Sequence, residues 1–153
     1  WQNKTPKDEF LEILDNYYQS IDRNYQAILN PHVLSLLDYL KTNHYQIALA
    51  SSSSKQLIDK ALISSGIFDY FDLITSGMAF QESKPHPEIY LYTIEKLHAR
   101  KEETLIIEDS SPGIQAAVNA GIDVVAIKDK RFSLDQSQAN AIIDDIIDVK
   151  KYI

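Results

Sequence analysis

Three short stretches carry side chains whose types suit phosphate and metal chemistry. Glu108-Asp109 closes the apolar run Thr104-Leu105-Ile106-Ile107 and precedes Ser110-Ser111-Pro112-Gly113. Two adjacent carboxylates present hard oxygen donors, and Mg²⁺ is held by one or two carboxylates completed by water and phosphate oxygens. Lys84, in Lys84-Pro85-His86-Pro87, places an ammonium in a proline-stiffened loop, where it can neutralise phosphate oxygens or the acidic pair. Ser51 ends the apolar run Gln46-Ile47-Ala48-Leu49-Ala50. Its hydroxyl, with the backbone N–H groups of Ser52 and Ser53, can donate to a phosphoryl oxygen, and a helix starting just beyond favours an anion there.

Each stretch also has a plainer reading. Asp109 or Ser110 can cap the helix that starts at Ser111, and the serines at 51–54 can cap the helix at Lys55. A loop lysine is most often solvated. The candidate roles set against these are metal binding for Glu108 and Asp109, catalysis for Lys84 and Ser51, and phosphate contact for Ser51, Ser52, Ser53 and Lys84. His86 receives no role.

These residues need elements to hold them. Thr5-Pro6 reads as a helix start, and Phe10, Leu14, Tyr17, Ile21 and Tyr25 recur at helical spacing. Asn30-Pro31 gives a second start, with Val33, Leu36, Leu37 and Leu40 as its buried stripe. From there short apolar runs alternate with helical patterns. Strands are expected over 46–50, 72–76, 104–108, 123–127 and, at an edge, 141–143. Helices are expected from Lys55 to Gly66, after Pro87 with Tyr90, Ile94 and Leu97 inward, from Ser111 to Gly121, and from a cap at Asp144 to Ile153. Such alternation predicts an α/β fold, a Rossmann-like parallel sheet flanked by helices, with its site beyond the carboxyl ends of the strands. Ser51, Ser76, Glu108-Asp109 and Asp129 all fall at those ends.

The bulk properties narrow the partners. The 153 residues suit one domain with a real core. A net charge of −7 argues against a nucleic-acid surface, which needs clustered Lys and Arg. No apolar run approaches a membrane span. The absence of cysteine excludes disulfides and thiolate chemistry, and fits a cytoplasmic setting.

In order, Leu49-Ala50-Ser51-Ser52-Ser53, Lys84-Pro85-His86-Pro87-Glu88 and Glu108-Asp109-Ser110-Ser111-Pro112-Gly113 resemble the second, third and fourth motifs of the haloacid dehalogenase superfamily, in its β-phosphoglucomutase-like branch. The resemblance spans roughly residues 30 to 153. It implies a magnesium-dependent phosphatase or phosphomutase that works through a phospho-aspartyl intermediate on a small phosphorylated molecule such as a sugar phosphate. A receiver domain uses similar groups, but with the acids first and the lysine last. The family's first motif, Asp-x-Asp on a central strand, has no counterpart here. That strand would lie beside those ending in Ser51 and Glu108, so its absence is expected to leave two unpaired ladders. Residues 1–29 resemble a remnant of the family's helical cap, and 30–153 an α/β core lacking its first strand. The chain is therefore expected to be the C-terminal part of a longer protein and, alone, inactive. The alternative is a non-catalytic binding or regulatory relic of the same fold.

Overall fold

Along Asp123–Ile127, successive side chains leave the backbone on opposite sides. Val124 and Ala126 pack with Ile106, Ile114 and Ala117, whereas Val125 packs with Leu36, Ile143 and Val149. All three of these strand residues are buried, so the strand is covered on both faces, as in parallel α/β sheets. The computed structural model describes residues 6–21 and 23–153. Its strands are β1 (Ala48–Ser51), β2 (Leu73–Ser76), β3 (Leu105–Glu108), β4 (Asp123–Ile127) and β5 (Ala141–Ile143). Its helices are α1 (Pro6–Ser20), α2 (Val33–Thr42), α3 (Lys55–Ser65), α4 (Glu88–Lys96) and α5 (Ser111–Ala120).

All the strand pairs are parallel. β1 pairs with β2, Ser51 opposite Ser76, and β3–β4–β5 form a second ladder with Glu108 opposite Ala126. The expected α/β class therefore holds, with α4 and α5 packed on one face. α2, α3 and the C-terminal turns cover the other. Among the described residues β1 and β3 do not pair. Between them runs a groove of about 460 Å³, lined by Ile47, Leu49, Ala50, Ile106 and Glu108 and walled by Tyr90 and Ile94 of α4 and by Leu40 of α2. The two unpaired ladders expected from the sequence thus face one another across an apolar gap.

Local chemistry sets the ends of the helices that start at the site. Ser54 accepts a hydrogen bond from the N–H of Leu57 at 3.4 Å, and Ser110 accepts one from Gly113 at 3.1 Å. Gly66 and Gly121 close α3 and α5 in the left-handed conformation.

Three element boundaries depart from the sequence reading. α1 stops at Ser20, short of Ile21 and Tyr25. Here the Asn24 side chain accepts the N–H of Ala27 at 3.1 Å and Tyr25 donates to Arg23 O, so turns replace helix although the apolar period continues. α2 begins at Val33, because His32 adopts φ 65° and breaks the run from Asn30-Pro31. The last helix is a short 3₁₀ segment, Ile146–Lys151, capped by Asp145 rather than Asp144; Asp145 accepts the N–H of Ile147 and faces His32 Nδ1 at 2.7 Å. The expected cap at Thr5 lies outside the described residues. Among the described residues no helix is long and apolar enough to cross a membrane.

Candidate active site

Lys84 joins the carboxyl ends of β1 and β3 across the groove between them. Its Nζ donates to Ala50 O on β1 at 3.3 Å and to Glu108 Oε1 on β3 at 2.5 Å. The lysine comes from the loop between β2 and α4, where the Lys84–Pro85 peptide is cis. Both charged side chains are about nine-tenths buried, so their attraction is little screened. The Lys84 ammonium also stands 4.7 Å from the centre of the Tyr90 ring.

Glu108 turns inward. Its Oε1 accepts from Lys84 and from the Tyr90 hydroxyl at 2.6 Å. Its Oε2 accepts from the N–H of Asp109 at 3.0 Å, the N–H of Ser110 at 3.2 Å and Ser110 Oγ at 3.0 Å. Burial works to raise the Glu108 pKa. The Lys84 ammonium and the bonds from Lys84, Tyr90 and the Ser110 N–H outweigh it and hold the carboxyl below its ordinary range. Burial, then the neighbouring Glu108 charge, pushes the Tyr90 phenol far up, so that it remains a donor.

Asp109 behaves differently. It is exposed, and its carboxylate has no hydrogen bond or ion pair to any described residue. Its backbone carbonyl is fixed by Gln136, whose Nε2 donates to Asp109 O and to Ile127 O, both at 2.8 Å. No group of three or more His, Asp or Glu side chains is positioned to hold a metal among the described residues. Asp109 nevertheless supplies one free hard donor at a strand end, which fits a Mg²⁺ completed by oxygens from water and phosphate.

On the β1 side, Ser51 Oγ accepts the N–H of Ser53 at 3.2 Å, while Ser53 O accepts from Ser76 Oγ at 2.7 Å. Ser51 and Ser53 also line a second cleft, of about 570 Å³, with Leu57 of α3, Tyr18 of α1, and Arg23 and Tyr25. The structure thus brings Ser51, Ser52, Ser53, Lys84, Glu108 and Asp109 to one sheet edge. His86 is exposed, 3.8 Å from both Glu82 and Glu88.

Two residues at the site escaped sequence reasoning. Tyr90 matched the buried stripe of α4, and only the fold shows its hydroxyl on Glu108. Gln136 lies in the loop before β5 with no motif to mark it.

A parallel sheet with a lysine, an acidic pair and serines at its carboxyl edge defines a Rossmann-like α/β protein. The family model for haloacid dehalogenase-like hydrolases matches residues 2–127, and the chain belongs to that family. It is 30% identical over 121 residues to a phosphorylated carbohydrates phosphatase of Thermotoga maritima, covering 75% of this chain and 56% of that protein. It is 29% identical over 128 residues to a phosphoglycolate phosphatase of Nitrosococcus oceani, covering 82% and 57%. Its fold superposes on a β-phosphoglucomutase from Clostridium difficile with a TM-score of 0.75 at 27% identity, covering 94% of this chain and 64% of that one. The chain spans a little over half the length of these curated relatives.

Proposed function

We propose that this chain is the C-terminal part of a magnesium-dependent phosphatase or phosphomutase that acts on a small phosphorylated metabolite, a sugar phosphate in the first instance, through a phospho-aspartyl intermediate. The observation that carries the reading is Lys84, which bridges Ala50 and Glu108 across an open apolar groove with unpaired strand edges on both sides. A central strand seated there would satisfy both ladders. If that strand carries the nucleophilic aspartate, its carboxylate arrives at the charged edge beside Lys84, Ser51 and Asp109.

In this reading Ser51 and the N–H groups of Ser52 and Ser53 bind the transferring phosphoryl oxygens. Lys84 offsets their negative charge and holds Glu108 in place. Asp109 and Glu108 form the acidic corner toward magnesium, with Asp109 presenting the free carboxylate. Bound magnesium supplies counter-charge for the phosphoryl group. Residues 1–29 act as the remnant of a cap over a core of residues 30–153, and the cleft at Arg23, Ser51 and Ser53 is where the body of the substrate rests. The relatives that act on phosphorylated carbohydrates and on phosphoglycolate support this class of substrate.

The test joins this chain to an N-terminal apolar strand ending in Asp-x-Asp and compares it with the 153-residue chain alone. The joined protein should hydrolyse phosphate monoesters and lose that activity on Lys84→Ala. Turnover by the chain alone above its own Lys84→Ala control overturns the reading. So does a folded joined protein without turnover, which leaves the non-catalytic alternative.

A further inference from the structure

We infer that Tyr90 is the positioning residue of the Lys84–Glu108 pair, within a ring of donors that divides the acidic pair into an inward anchor, Glu108, and an outward ligand, Asp109. The inference rests on the magnesium reading above only for the word ligand; the positioning itself stands on geometry. An ionised carboxylate offers about four lone-pair sites. Glu108 receives five donors: Lys84 and Tyr90 on Oε1, and the Asp109 N–H, the Ser110 N–H and Ser110 Oγ on Oε2. In this rotamer it has no lone pair left for a cation. Asp109, one residue on, has a carboxylate with no donor among the described residues.

Tyr90 is the rigid member of this set. Lysine has four side-chain torsions and great rotamer freedom, whereas the tyrosine ring has two and is 5% exposed in the cluster with Ile106 and Ile114. One face of the ring meets the Lys84 ammonium at 4.7 Å, and the hydroxyl at its tip meets Glu108 at 2.6 Å. A single buried side chain from α4 therefore fixes both partners of the ion pair. A phenylalanine would keep the packing and the cation–π contact and lose only the hydroxyl bond to Glu108 Oε1.

The experiment is carboxyl ¹³C NMR on the 153-residue chain labelled in its Glu and Asp side chains, with Glu108→Gln and Asp109→Asn as assignment variants. Without metal, Tyr90→Phe should shift the Glu108 resonance and leave that of Asp109 in place. Tyr90→Leu, which also removes the ring, should add a loss of thermal stability that Tyr90→Phe does not show. On addition of MgCl₂ the Asp109 resonance should move in the parent chain and in Tyr90→Phe, while Glu108, still met by four donors in the variant, stays in both. An unchanged Glu108 resonance in Tyr90→Phe overturns the positioning role whatever magnesium does. A Glu108 resonance that moves with MgCl₂ in the parent chain overturns the division of the pair. Silence of Asp109 toward MgCl₂, with Glu108 shifted in Tyr90→Phe, sinks the ligand role of Asp109 and upholds the positioning.

Discussion

Gly113, in the first turn of α5, borders the space into which the Glu108 carboxylate turns: a methyl group on its Cα would coincide with that carboxylate. The glycine is required here for close approach, since the backbone N–H of the same residue is also tied to Ser110 at 3.1 Å. Gly113→Ala should therefore cost about 1–3 kcal/mol through overpacking. Made in a Glu108→Ala background, where the space is free, the same change should cost much less. Urea midpoints of the four proteins check this, and equal penalties in both backgrounds would count against the clash.

Gln136 ties the carboxyl ends of β3 and β4 together, bonding Asp109 O and Ile127 O while its Oε1 accepts the Asp129 N–H at 3.1 Å. Gln136→Ala strands these partly buried groups, each unmade bond costing about 1–3 kcal/mol unless water replaces it. The expected result is a lower melting temperature together with faster amide exchange at Asp129. Normal exchange there would mean that Gln136 does not hold the strand ends.

Asp72 fastens the start of β2 to the residue before β1, accepting the Ile47 N–H at 2.7 Å and Lys41 Nζ at 2.8 Å. The Lys41 bond, then the Ile47 N–H, holds its pKa below the ordinary value. A depressed carboxyl contributes stability that is fully present above its unfolded pKa of about 3.9 and is lost as pH falls through the lower folded value. The stability gap between the parent and Asp72→Asn should thus be largest near neutrality and shrink below about pH 4. Denaturation at several pH values measures it, and a gap that grows on acidification has the wrong sign for this account.

Leu36 is 1% exposed and joins α2 to Val125, Ile143 and Val149. Leu36→Ala should cost about 2–5 kcal/mol, the range for a core cavity. Val118, on the exposed side of α5, is the control: Val118→Ala should leave the urea midpoint nearly unchanged.

Much of the arrangement is legible in the sequence for a local reason. Strand alternation, Ser110 and Ser54 as caps, and Gly66 and Gly121 as stops are all set by residues within one turn or one strand of each other. The ends of β1 and β3 therefore placed Ser51 and Glu108 correctly, and the ordered motifs carried the family. Where a local signal competed with another, the reading slipped: Asn24 turned the chain before Tyr25, and His32 delayed α2.

The sequence by itself determined the parallel α/β class, the order of its elements and which polar residues stand at the sheet's carboxyl edge. Tertiary structure alone decided how those residues are paired. Lys84 and Glu108 are 24 residues apart, Tyr90 and Glu108 18, Gln136 and Asp109 27. No short-range pattern encodes such distances. They close only when β1 and β3 are held on either side of the groove and α4 and α5 are packed across them, and it is that packing which turns Glu108 inward and leaves Asp109 facing out.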